Sequence, residues 1–140
     1  MEHILSVASG SALFRGIEPD QLCELMTGMS MAKKKFKKGE YLLHTGEKVE
    51  ALGLILSGRV LIVKEDLWGN RNLIASLDKG QCFAETFACA AGAVSTVSAA
   101  ADTDCEVVFL NVQNLLTAPQ NAAHTRLIYN LLSEIGRAHV

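Results

Sequence analysis

Residues 52–80 read LGLILSGRVLIVKEDLWGNRNLIASLDKG. Short runs rich in Leu, Ile and Val are divided by Ser57-Gly58 and by Trp68-Gly69-Asn70, and closed by Asp78-Lys79-Gly80. Gly, Asn and Asp supply the backbone conformations of tight turns, and runs this short suit strands rather than helices. A turn signal about every ten residues points to an antiparallel sandwich or roll. The texture continues through STVSAAA (Ser95–Ala101) and CEVVFLNV (Cys105–Val112), which read as two more strands joined at the polar turn Asp102–Asp104. With YLL before it, the β portion is expected over about residues 41–112.

The flanks are helical. In GIEPDQLCELMTGM (Gly16–Met29), Pro19 suits a first helical turn, and Leu22, Leu25, Met26 and Met29 recur on one face. Near the end, Pro119 opens a second helix whose Leu127, Ile128, Leu131, Leu132 and Ile135 form an apolar stripe. Run from residue 119 to 140, it would be ~30 Å long, more than a lid on one roll needs. No glycine cap or proline follows, so the chain is expected to stop inside the helix.

At 140 residues, the chain fits one domain, residues 1–140. A composition 49% hydrophobic and 20% charged excludes a disordered tail, and a net charge of -2 argues against a general affinity for polyphosphate. The N-terminus lacks the pattern of a signal peptide and no run approaches the ~20 apolar residues of a membrane span, so a cytoplasmic protein with no membrane contact is expected. Cys23, Cys82, Cys89 and Cys105 form no Cys-x-x-Cys pair, and no disulfide is expected.

The order of helix, roll and long helix resembles the sensor domain of the Crp/Fnr family of bacterial transcription regulators. LFRGIEPDQLCEL resembles the family's opening helix, KFKKGEYLLHTGE its first strand and glycine turn, and LGLILSGRVLIVKED its central hairpin. GQCFAETFACA resembles the loop and short helix of the phosphate-binding cassette, and CEVVFLNVQNLL the strand and turn after it. The resemblance implies a mainly β fold, a double-stranded β-helix (jelly roll) with an N-terminal helix and a long C-terminal helix. It also implies a non-catalytic domain that needs no cofactor or metal. That domain binds a small-molecule effector and signals through a homodimer helix, here Leu127, Ile128, Leu131, Leu132 and Ile135, to a C-terminal helix-turn-helix domain that this chain lacks. DNA would be contacted only through that domain.

In the family, a cassette glycine and glutamate begin a short helix whose N–H groups face the cyclic phosphate, and an arginine neutralises it beside a Ser or Thr. The resemblance places the ligand site at Ala84, Glu85, Thr86, Ser95 and Thr96. Glu85 matches the glutamate and Thr96 the hydroxyl residue, but Ala84 stands at the glycine and Ser95 at the arginine. Between Lys79 and Arg126 no Lys or Arg occurs, and His124 is the one residue there able to become cationic. A buried phosphate without a cation loses a charge-assisted bond worth about 1.5–3 kcal/mol. Cyclic AMP and cyclic GMP are therefore expected to bind weakly or not at all, and a neutral or aromatic effector suits the site better.

Other features admit two readings. Glu85 fits a ligand contact or a helix-start carboxylate, and Thr96 a contact or a β-branched strand residue. Cys82 and Cys89 flank the cassette, where thiols could sense redox state, yet nothing basic nearby would activate them. An iron-sulfur cluster lacks its N-terminal thiolates. Metal-dependent cupins share the roll, so a cupin-like metal protein is the alternative, but His44 and Glu47 are too few ligands for such a site. A haem would need one axial histidine, with nothing to select His44 over His124. The lysines of KKKFKK, with Phe36 turned inward, read as a solvated edge strand.

Overall fold

The computed structural model describes residues 2–84, 93–111, 113–114 and 121–137. Eight strands follow two helices: α1 (Glu2–Ser9), α2 (Pro19–Gly28), β1 (Ala32–Phe36), β2 (Tyr41–Leu43), β3 (Leu52–Ser57), β4 (Val60–Glu65), β5 (Arg71–Leu77), β6 (Cys82–Phe83), β7 (Ser98–Ala101) and β8 (Cys105–Leu110). A third helix, α3 (Ala122–Arg137), closes the described chain. The strands form two four-stranded antiparallel sheets, ordered β1-β8-β3-β6 and β2-β7-β4-β5. This is the expected jelly roll with flanking helices.

β3 is an interior strand of its sheet, and all of Leu52–Leu56 is buried. Successive side chains of a strand point to opposite faces, so β3 needs cover on both. One side is the roll's interior; α1 packs on β3 from the other. Gly53 is required there because a Cβ would run into the Phe83 ring, which is itself stacked edge-on against Phe109 with centroids 6.1 Å apart. Gly58 makes the β3–β4 turn at φ +85°, pressed against Asp104 and Cys105.

Helix α1 was not anticipated, although Ile4, Val7 and Ala8, all buried, have the spacing of one helical face. Pro19 does open α2, which buries Leu22, Leu25 and Met26. The lysine run is β1, the edge strand it was expected to be, pairing only with β8, so the β portion begins before the expected residue 41. STVSAAA is strand only over Ser98–Ala101. α3 packs against α2, burying Ala123, Leu127, Asn130 and Leu131 at i, i+4, i+7 and i+8. The helix starts at Ala122 rather than at Pro119, because Asn121, outside it, caps its first turn by accepting from His124 N at 2.9 Å; residues 119–120 and 138–140 of the expected helix lie outside the described residues. One hydrophobic cluster joins both sheets to α1, α2 and α3, through residues such as Val7, Met26, Leu54, Val60, Val108 and Leu127.

Candidate functional site

The cassette begins where β6 ends. Ala84, half-buried, has φ +64°, the left-handed conformation that a glycine adopts without strain and that costs other residues about 1–2 kcal/mol. An alanine thus holds a backbone turn that favours glycine. Glu85, Thr86 and Cys89 lie outside the described residues.

The chain returns at residue 93 and is zipped to residues 46–49 by backbone bonds. Val49 N donates to Ala93 O at 3.0 Å, Ser95 N to Glu47 O at 2.9 Å, and Gly46 N to Ser95 O at 2.8 Å. This ladder buries Ser95 to 2% exposure. Its hydroxyl donates to Val97 O at 2.7 Å and accepts from Val97 N at 3.2 Å, so it is closed on its own bend. Thr96 is exposed in a bend before β7, not in a strand as its β-branched side chain suggested. One layer deeper, the buried Ser98 hydroxyl accepts from Thr45 N at 2.9 Å and lies 3.0 Å from the Thr45 hydroxyl. The described wall is a set of neutral hydroxyls that bond to backbone or to one another.

The fold brings one cation near this wall that the linear sequence hides. Lys48 is bridged to Val94 across the ladder. Its ammonium is exposed, however, and lies 4.0 Å from the Glu50 carboxylate, so it supplies no buried charge. His44 stacks on Tyr41, centroids 4.5 Å apart, and Glu47 accepts from His44 N at 2.9 Å to close their turn. Both are exposed, and among the described residues no three His, Cys, Asp or Glu side chains gather as metal ligands.

Cys82 is half-buried, while Cys105 is buried, which pushes its thiol's pKa up, helped by the Asp104 and Glu40 charges. On β1, Lys33 pairs with Glu106 at 2.8 Å and Lys34 lies over the Phe109 ring. The apolar stripe of α3 divides: Leu127 and Leu131 are buried within this chain, Ile128 and Ile135 are half-buried, and Leu132 is 64% exposed beside an exposed Tyr129.

Sequence reasoning missed the polar clamp that docks α3. Buried Asn130 donates through Nδ2 to Leu13 O and Arg15 O, both at 2.8 Å, and Arg126 Nε donates to Arg15 O at 3.1 Å. An Asn inside an amphipathic helix carries no pattern that announces two carbonyl partners more than a hundred residues away. Among the described residues, a cavity of about 570 Å³ lies where the α1–α2 loop meets Gly80–Cys82 at the cassette's opening, and one of about 410 Å³ lies between β1 and the start of β8. No helix among the described residues is long and apolar enough to cross a membrane.

A family model described as the cyclic nucleotide-binding domain matches residues 33–121. The structure is similar to the catabolite activator protein of Thermus thermophilus, with 24% identity and a TM-score of 0.77 over 91% of this chain and 57% of that one. It is similar to the sensor domain of the transcriptional regulator DNR from Pseudomonas aeruginosa, with 21% identity and a TM-score of 0.77 over 96% and 87%. It is also similar to the regulatory subunit of a cAMP-independent protein kinase A from Trypanosoma brucei, with 19% identity and a TM-score of 0.73 over 97% and 46%. At these identities, the likeness shows the fold. The chain spans little more than half the length of the catabolite activator protein it matches. No curated protein matches by sequence.

Proposed function

The chain belongs to the cyclic nucleotide-binding domain family, and from that membership we propose that it is the effector-sensing domain of a Crp/Fnr-like transcription regulator whose effector is not a cyclic nucleotide. The observation that carries the reading is that Ser95, the residue the resemblance sets at the family's phosphate-binding arginine, is a buried hydroxyl already committed to Val97. A cyclic phosphate seated there would give up its charge-assisted partner, about 1.5–3 kcal/mol or roughly one to two decades in affinity. The neutral hydroxyls of Thr45, Ser95 and Ser98 favour an uncharged effector instead. They bond to backbone or to each other rather than to a histidine or carboxylate, which gives them no base and supports binding over catalysis.

Signalling in this reading runs through α3 of a cytoplasmic homodimer. Leu127, Leu131 and the Asn130 clamp fix the helix to its own roll, leaving Leu132 and Tyr129, with the half-buried Ile128 and Ile135, for a second copy. Effector binding shifts the population of two helix arrangements, and a helix-turn-helix domain of the whole protein reads that shift on DNA. The test is an amide-shift screen of the labelled chain with neutral aromatic compounds and with cyclic AMP. A neutral compound that saturates shifts at residues 44–47 and 93–98 supports the reading; cyclic AMP doing so at micromolar concentration contradicts it.

A further inference from the structure

The 570 Å³ cavity is built where three elements meet: the α1–α2 loop brings Ser11 and Arg15, the β5–β6 turn brings Lys79 and Gln81, and α3 brings Glu134. Its polar groups are unbalanced. Among the described residues, neither the Arg15 guanidinium nor the Lys79 ammonium is engaged in an ion pair or hydrogen bond. Gln81 Oε1 accepts from Asp78 N at 2.8 Å, which leaves the carboxamide's NH₂ end as the group offered outward. Ser11 is turned inside, its hydroxyl donating to Ala8 O. Against these donors stands one carboxylate, Glu134, which already has a partner. Leu13 and Leu77 give the cavity an apolar part.

A concave site with a planar fork of donors, a point charge and an amide suits an oxyanion. We propose that this cleft, which borders the cassette's opening residues Gly80–Cys82 and is distinct from the Ser95 ladder, is a binding site for a small metabolite carrying a carboxylate or phosphate head group. Arg15, Lys79 and Gln81 hold the head group, and Leu13 and Leu77 meet the rest of the molecule. The position gives such a ligand leverage. Leu13 and Arg15 are the residues whose carbonyls receive Asn130, and Glu134 follows Asn130 by one helical turn. An occupant therefore ties the α1–α2 loop to the roll, and, because Asn130 holds α3 to the carbonyls of that same loop, slows undocking of the helix. This inference does not depend on what the cassette binds.

The ¹⁵N-labelled chain is titrated with succinate and, separately, with inorganic phosphate at constant ionic strength. Saturable amide shifts at residues 13–15, 79–81 and 134, with slower hydrogen exchange along α3, are expected for one or both anions. Succinate alone identifies a carboxylate ligand, phosphate alone a phosphate one, and both an oxyanion site of either kind. The Arg15→Gln/Lys79→Gln variant changes only exposed side chains and weakens binding about 10-fold or more, while Lys79→Gln alone gives an intermediate loss. Linear, unsaturating shifts with both anions overturn the proposal. So does an unchanged dissociation constant in the double variant, or a response confined to residues 44–47 and 93–98.

Discussion

Replacing Asn130 with alanine removes both Nδ2 bonds that hold α3 to the α1–α2 loop. The two carbonyls do not suffer equally. Arg15 O keeps Arg126 Nε at 3.1 Å, whereas Leu13, 3% exposed, loses the donor that Asn130 brings. A net hydrogen bond is worth about 1 kcal/mol and a buried acceptor left unsatisfied costs about 1–3 kcal/mol, so Asn130→Ala should lose roughly 2–4 kcal/mol. Urea unfolding followed by circular dichroism measures this as a lowered midpoint at unchanged slope, about 1–2 M lower for a domain of this size. Hydrogen exchange should localise the first loss to α3 amides, with β3 and β8 protected. Arg126→Gln alone should cost less, but more when Asn130 is already alanine, because Arg15 O then has lost both donors. A loss under about 0.5 kcal/mol, or strictly additive effects of the two substitutions, would refute the clamp.

Ala84→Gly relieves a left-handed alanine and should stabilise the fold by about 0.5–1 kcal/mol after the entropy of the freer unfolded chain is subtracted; destabilisation on thermal unfolding would contradict the φ of +64°. Gly53→Ala drives a methyl into the Phe83 ring and should cost about 1–3 kcal/mol, seen as a lower melting temperature. The hydrogen bond from Lys33 holds the Glu106 carboxyl below its ordinary pKa, and the backbone bond from Asn70 does the same for Asp66. Because both folded values lie below the unfolded ones, their stabilisation is fully present above about pH 4–4.5 and disappears as pH falls through the folded values. Thermal unfolding across pH 2–6 checks the sign: Glu106→Gln and Asp66→Asn should flatten the acid slope.

The roll was legible because each of its long strands ends in residues that only turns favour: Ser57-Gly58, Trp68-Gly69-Asn70 and Asp102–Asp104 bound β3, β4, β5 and β8 much as the structure does. β6 and β2 are too short to show a period, and residues 93–95 join the roll by pairing with 46–49, a tertiary relation no local pattern encodes. The missing cation was readable as the absence of Lys and Arg between Lys79 and Arg126, but Lys48 opposite Val94 appears only once the strands are folded. The stripe on α3 predicted burial without saying against what. Leu127 and Leu131 turn to their own chain and Leu132 does not, because neighbouring stripe positions sit at different angles around the helix. Thr96 was placed in a strand by its branching, and the tight Ser95–Val97 bonds keep it in a bend instead.

The substitution of a committed hydroxyl for a cation at Ser95 is the central claim, and calorimetric titration of the chain with cyclic AMP tests it most directly. The expected result is no saturable heat at cyclic AMP concentrations that fill a micromolar site; a 1:1 isotherm with a micromolar dissociation constant would contradict it.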